Sequence, residues 1–495
     1  MGILKRVIAF LLAATFCFCV TGCSDKSEKA YIYFELTEKP TTLDPQTASS
    51  DSELLIVKNI FEGLLRKNEN GKIDYGVTEK YTKKGLTYTF NLKKNAVWSN
   101  GDKVTAYDFE FAFKRAVSSE TNSPFVSRLF CISGAEDIYK NNASTKKLGV
   151  KAKDKYTLQI TLCKEDKTFL ETLTSSIAMP CNEKFFKNSS GKYGLSNDTI
   201  ISNGSYKFSK WNKETFGIRL YKNKNYNGDF EAKNAAVFIS CTKDSTPYER
   251  LTNNKADITF IDCALTENVE NLGFKTVSFE NICWFLTISP NLPQNIRKSL
   301  SMLIGSEVFA NSLESGYSAA NSIFPSSISK ENIAAGIVPY NLESGKELYM
   351  QEVQNLENKT FPSSTVLYYY DNGSIKPIVT DIVGHWQNNL GAYVNIKSAS
   401  SPELLTPELL EQTYDFAVFP VRADSTNILE YTQKFGITNS NKNLSEIQSD
   451  ILKNDTIIPL VFQNTTIAYS SEIKKMPTEC GNGYIDFAFI IKHSS

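Results

Sequence analysis

Only one stretch of this chain is continuously apolar. Val7 to Val20 is a run of 14 apolar or small residues behind Lys5 and Arg6. At 1.5 Å per residue it makes about 21 Å of helix, short of a bilayer core of ~30 Å. It therefore reads as the core of a secretory signal and not as a span. No later stretch is apolar for long enough to cross a membrane, so the rest of the chain must bury its apolar residues against one another. The 473 residues from Cys23 onward suffice for a large core and for two or three domains.

The run ends in Val20-Thr21-Gly22-Cys23, followed by Ser24-Asp25 and the charged stretch Lys26 to Lys29. This resembles a bacterial lipobox, which implies a diacylglyceryl group on Cys23, cleavage before it, and a protein held on the outer face of the cytoplasmic membrane. Two acyl chains anchor firmly because each buried methylene contributes about 0.8 kcal/mol. The alternative is an ordinary signal with a cysteine at that place by accident. Loss of Lys5 and Arg6 leaves 52 basic against 54 acidic residues, which gives no electrostatic case for nucleic acid. Only His385 and His493 exist, without ligand-type neighbours at helix or strand spacing, so neither a metal site nor a cofactor is expected. Cys131, Cys163, Cys181, Cys241, Cys263, Cys283 and Cys480 show no CxxC spacing and read as buried thiols or as one or more disulfides.

Hydrophobic patterning gives the elements. Tyr31 to Leu36 predicts a strand, and Lys39 to Pro45 an extended segment held out of helix by its prolines. Ser50 with Glu53 forms a capping box, after which Val57, Ile60, Phe61 and Leu64 share a helical face. Leu86 to Leu92 and Tyr156 to Leu162 alternate as strands, and Thr105 caps a helix bearing Phe109, Ala112, Phe113 and Ala116. After the turn Ser202-Asn203-Gly204-Ser205 come strands at Tyr206–Phe208, Phe216–Leu220, Ala235–Ile239 and Asp257–Phe260, with a helix near Pro247–Asn253. From Asn295, helices at Ile296–Phe309 and Ile375–Leu390 alternate with strands at Thr365–Tyr370, Val394–Lys397, Asp415–Phe419 and Ile457–Phe462, a mixed α/β pattern.

Several stretches together resemble the peptide/nickel-type extracellular solute-binding proteins, which include oligopeptide- and dipeptide-binding lipoproteins of ABC transporters. They are Leu43-Asp44-Pro45, Asn59 to Leu64, Leu86 to Leu92, Val97 to Asp102 running into Val104 to Phe109, Ser202 to Tyr206 with Trp211, and Leu220 to Asn223 with Tyr226. Ile296 to Leu300 resembles the family's arginine-bearing helix, and Ala423-Asp424 its ligand-binding loop. The resemblance runs over residues 30 to 490. It implies an α/β, two-lobe, periplasmic-binding-protein-like (type II) fold with an extra subdomain inserted in the first lobe. The expected division is 1–22 signal, 23–29 tether, 30–76 first lobe, 77–201 inserted subdomain, 202–282 first lobe again, 283–462 second lobe and 463–495 the last part of the first lobe. Two strands, near Asn281–Ser289 and Val461–Tyr469, are expected to join the lobes.

The same resemblance implies a monomer that binds a short peptide between its lobes and delivers it to ABC-transporter permease subunits, without catalysis. Extended segments at Pro40–Leu43 and Ala417–Val421 would pair with the peptide backbone, placing Thr41, Thr42, Pro420 and Val421 at the ligand. Asp424 would meet its α-amino group. Arg422 could meet a carboxylate or be a plain strand-end arginine. The loop departs from the family pattern, with Val421-Arg422 before it and Ser425-Thr426 after it, and the second lobe is short for an oligopeptide binder. Another small solute such as a nickel chelate, and a peptide-sensing role, stay open. A lipid-anchored hydrolase is the contrasting class, but no GxSxG, HExxH or phosphate loop occurs.

Overall fold

The first strand, β1 (Tyr31–Glu35), follows directly from alternation: Ile32 and Phe34 are fully buried while Tyr31 and Tyr33 face outward. In the computed structural model the described residues are 30–212, 216–331, 333–356, 359–362, 365–399, 415–423, 428–437, 442–477 and 485–493. Cys23, Asp424 and Cys480 lie outside them.

Helix α1 (Asp51–Ile60) starts at the Ser50–Glu53 capping box. It stops one turn before the face expected to run on to Leu64, because another segment captures its end. The Ile60 carbonyl accepts the N–H groups of Asn203 and Gly204 at 3.2 and 2.9 Å. The Asn203 side chain takes the Glu62 N–H at 3.0 Å and donates to the Glu62 carbonyl at 2.8 Å. Phe61 and Leu64 are nonetheless buried. A four-stranded antiparallel sheet follows, built from β2 (Thr78–Lys84), β3 (Thr87–Leu92), β4 (Val150–Asp154) and β5 (Thr157–Thr161) in the order β2-β3-β5-β4. Tyr88, Phe90, Leu158 and Ile160 point into the core, and α2 (Ala106–Ala116) covers them with its Phe109–Phe113 stripe.

The main sheet draws on the rest of the chain. Its first strands are β6 (Tyr206–Asn212), β7 (Gly217–Lys222) and β8 (Ala236–Ser240). Helix α3 (Pro247–Thr252), β9 (Ile258–Ile261) and β10 (Lys275–Ile288) follow. Then come α4 (Gln294–Met302), α5 (Ser306–Phe309), β11 (Tyr317–Ala319), α6 (Leu342–Val353), β12 (Val366–Tyr370) and α7 (Ile375–Leu390). The last are β13 (Asn395–Ala399), β14 (Phe416–Arg422), α8 (Leu444–Leu452) and β15 (Ile457–Tyr469). Eleven strands join in the order β13-β12-β14-β10-β15-β9-β1-β8-β7-β6, with β11 also on β15.

The expected helix Ile296–Phe309 is two helices. Gly305 breaks it with extended backbone, φ −152° and ψ 165°, where a Cβ would fall 2.7 Å from the Tyr340 side chain. Arg297 of α4 is buried and donates to the carbonyls of Asn454, Pro290 and Leu292, so it ties loops together. The six described cysteines are all free thiols, four of them buried.

Two long strands carry the sheet between separate cores. β10 and β15 pair antiparallel from Lys275↔Tyr469 to Thr287↔Ile457, with register shifts at Glu280/Ile282 and Trp284/Phe285. At one end Val277, Phe279 and Ile467 pack into the core around β1 and β6–β8. At the other, Ile282, Trp284, Leu286 and Ile288 face a second core with α4 and α7. Cys283 and Phe285 point oppositely, into a third core with Ile323, Tyr431 and Ile451. Strand alternation alone produces this division.

Candidate functional site

Several strands of the main sheet end at one place. A cavity of about 470 Å³ opens there, beside the carboxyl ends of β1, β9, β12 and β14, where open α/β sheets ordinarily leave room for ligands. From the β1 side it is lined by Leu36, Thr37, the first turn of α1 and the start of α3. From the β10 side come Ile282, Tyr370, Asn372 and Arg422, and Gln463 to Thr465 of β15 close the floor. Both faces of the cavity thus belong to different hydrophobic cores.

Its polar groups are mostly engaged. Arg422 at the end of β14 pairs with Asp51 at the start of α1, a contact between residues 371 apart in sequence. Asn372 donates to the Tyr317 hydroxyl at 2.7 Å and accepts the N–H groups of Ser374 and Ile375. Tyr370 stacks on Trp284 at 6.1 Å with ring planes 6° apart, and the Trp284 Nε1 donates to Gln463 at 2.7 Å. Trp284 is fully buried, so it braces the wall from behind. Cys263 also lines the cavity; burial, then the neighbouring Asp262, pushes its thiol up to about 12. It stays protonated at neutral pH and is a poor nucleophile. Among the described residues, no three His, Cys, Asp or Glu side chains gather where they could hold a metal.

The expected site residues are distributed as follows. Arg422 lines the cavity, while Pro420 and Val421 lie just before it on β14. The N–H of Ala423 and the carbonyls of Asp415 and Ala417 are directed to the β10 side, so odd-numbered residues face β10. Phe416 and Val418 are therefore on the other edge, which pairs parallel with β12 only as far as Tyr369↔Val418. Among the described residues the pairing with β12 ends there, and the same edge continues through Pro420, which has no N–H to offer a ladder, to Arg422, whose carbonyl accepts the Lys434 ammonium at 2.7 Å. The Val421 side chain packs into the third core. Thr41 and Thr42 are held by Glu53: its Oε1 accepts both their N–H groups, at 2.9 and 3.1 Å, and the Thr41 hydroxyl at 2.6 Å. Neither threonine is among the lining residues of this cavity. Asp51, Tyr370 and Asn372 were not singled out from sequence. The capping box marked the start of α1, but nothing local shows that this helix end meets β14.

Known proteins match both sequence and fold. The model of the bacterial extracellular solute-binding proteins, family 5, matches residues 62–443. The dipeptide-binding protein DppE of Bacillus subtilis is 26% identical over 431 residues, covering 83% of this chain and 79% of its own. Two solved structures share the fold at 20% identity over 94% of this chain and 99% of theirs. One is Haemophilus influenzae OppA in complex with RPPGFSPFR, at a TM-score of 0.76. The other is the Escherichia coli murein tripeptide binding protein MppA, at 0.75.

Proposed function

As this chain belongs to the bacterial extracellular solute-binding proteins of family 5, we propose that it captures a short peptide in the cavity between the two halves of its main sheet and passes it intact to an ABC importer. The observation that carries this reading is the edge of β14 beyond Val418, where a parallel strand has ended at the cavity mouth. A peptide entering there can add as a strand, its N–H bonding to the Pro420 carbonyl, with affinity coming from the backbone and tolerance from the surrounding space. The relatives named for dipeptides, oligopeptides and a murein tripeptide support the ligand class.

In this reading residues 30–76, 202–282 and 463–495 form the first lobe, 77–201 its insert and 283–462 the second lobe. The lobes close about β10 and β15, a hinge motion that traps ligand. Asp424 comes two residues after the end of β14 in the sequence and would hold the peptide's α-amino group with a charge-assisted bond of about 1.5–3 kcal/mol. Arg422 is already paired with Asp51, so a ligand carboxylate reaches it only by displacing that carboxylate. Cys23 carries the lipid anchor, which leaves the protein on the outer face of the cytoplasmic membrane.

Calorimetric titration of the mature protein with di- to pentapeptides tests this. Binding of at least one length class is expected, weakened several-fold by Asp424→Asn. No heat with any peptide would remove the ligand assignment, and an unchanged affinity in the variant would remove Asp424 from the site.

A further inference from the structure

On the far side of the first half of the sheet an aromatic cluster stays partly exposed. On β1, Tyr31 and Tyr33 are 47% and 45% exposed. Both rings lie against Phe238 of β8, at 5.4 and 5.3 Å, and Tyr221 of β7 meets the same ring edge-on at 6.3 Å. Cations surround this cluster. Arg219 stands over Phe238 at 5.6 Å. Strand register puts Lys210 opposite Arg219 and Lys207 opposite Tyr221, so both lysines share the outer face, and both are exposed. Among the described residues, three carboxylates near the cluster are already matched. Glu35 is buried and bonded to Arg250, and Asp257 and Glu472 are both bound by Lys492, whose ammonium sits 5.8 Å from the Tyr33 ring.

From this we infer a second interaction surface: the outer face of β1, β8, β7 and β6 rests on an anionic phospholipid bilayer. The inference rests on the lipid-anchor reading for its geometry. Tyr31 comes eight positions after Cys23, a reach of at most about 29 Å, so an anchored chain holds the start of β1 close to the headgroups. A short tether also makes contact effectively intramolecular, and a weak surface is then enough. Tyrosine rings with a polar tip and an apolar body suit the headgroup level. Lys207, Lys210 and Arg219 add attraction to anionic lipid that falls off within a Debye length. A nearly neutral chain gains from such a patch what its net charge does not supply. Resting on this face, the protein would hold its tether end down on the membrane.

The test uses the mature chain bearing Cys23→Ala, so that no acyl chain contributes. Its binding to phosphatidylglycerol vesicles and to phosphatidylcholine vesicles is measured by co-sedimentation at low and at about 0.5 M salt. The expected result is binding to phosphatidylglycerol alone, lost at high salt, and reduced by at least about tenfold in Lys207→Glu/Lys210→Glu/Arg219→Glu. Tyr31→Ala/Tyr33→Ala should weaken it as well. Equal affinity for both lipids, no binding at low salt, or binding indifferent to the charge reversal would overturn the inference. So would attachment only to membranes that contain the transporter, which would make the face a protein contact. Peptide affinity and thermal midpoint check that each variant is folded. Intact mass of protein extracted from its own membrane tests the anchor separately, so a missing acyl group cannot be confused with an inert patch.

Discussion

Five hydrogen bonds converge on the Glu53 carboxylate, from Thr41, Thr42, Ser49 and Ser50. Burial alone would push its pKa up, but these donors together outweigh the burial and hold it below the usual carboxylate range. A carboxyl depressed in the folded state contributes stability above its unfolded pKa, and that stability is lost as pH falls through the folded value. Glu53→Gln should therefore destabilise the protein by about 1–3 kcal/mol at pH 7. In urea unfolding the gap between variant and parent should close as pH drops below the carboxylate range; a gap that persists at acid pH would mean the charge is not what matters. The Ser50–Glu53 box was legible because it spans three residues and obeys a local rule. Its longer reach to Thr41 was not, and neither was the Asp51–Arg422 pair, since no spacing links residues 371 apart. Pro420 lies between these cases: the strand was expected to end at Phe419, and it runs through the proline to Arg422.

Among the elements, the segment Ser202 to Ser205 does more than turn the chain. Asn203 and Gly204 receive the end of α1, and a Cβ at Gly204 would stand 2.8 Å from the Ile60 carbonyl carbon. Gly204→Ala should thus cost about 1–3 kcal/mol by overpacking against backbone that cannot rotate aside, read as a lower denaturation midpoint. A midpoint equal to the parent's would show that the two segments can separate freely. Strands and α7 were legible at this scale because alternation and 3.6-residue spacing persist over several turns. The break between α4 and α5 was not, because the end of α4 is taken by a distant segment: the Met302 carbonyl accepts the Asn341 N–H at 2.8 Å, and that contact is tertiary.

In the whole molecule, the fold class and family were legible from many weak stretches in one order, and the fold neighbours agree. What sequence could not show is how the halves meet. Apart from β10 and β15, the Asp51–Arg422 pair links them across the cavity. Its side chains are 49% and 32% exposed, so the pair is worth about 0–1 kcal/mol and, under the proposed hinge closure, would bias the open–closed balance by up to about fivefold. Arg422→Ala should shift the unliganded protein toward the open form, seen as a larger radius of gyration in solution scattering, with the parent moving the same way at high salt. Identical scattering curves at all salt concentrations would remove this pair from the balance.

In the proposed function a small peptide is enclosed and left chemically unaltered. Native mass spectrometry of the mature protein, mixed with a defined set of short peptides and followed over hours, tests it most directly. One peptide per chain is expected, at the unchanged mass of that peptide, with the supply in solution uncleaved. Fragments accumulating in solution, or a protein that never carries any member of the set, would contradict it.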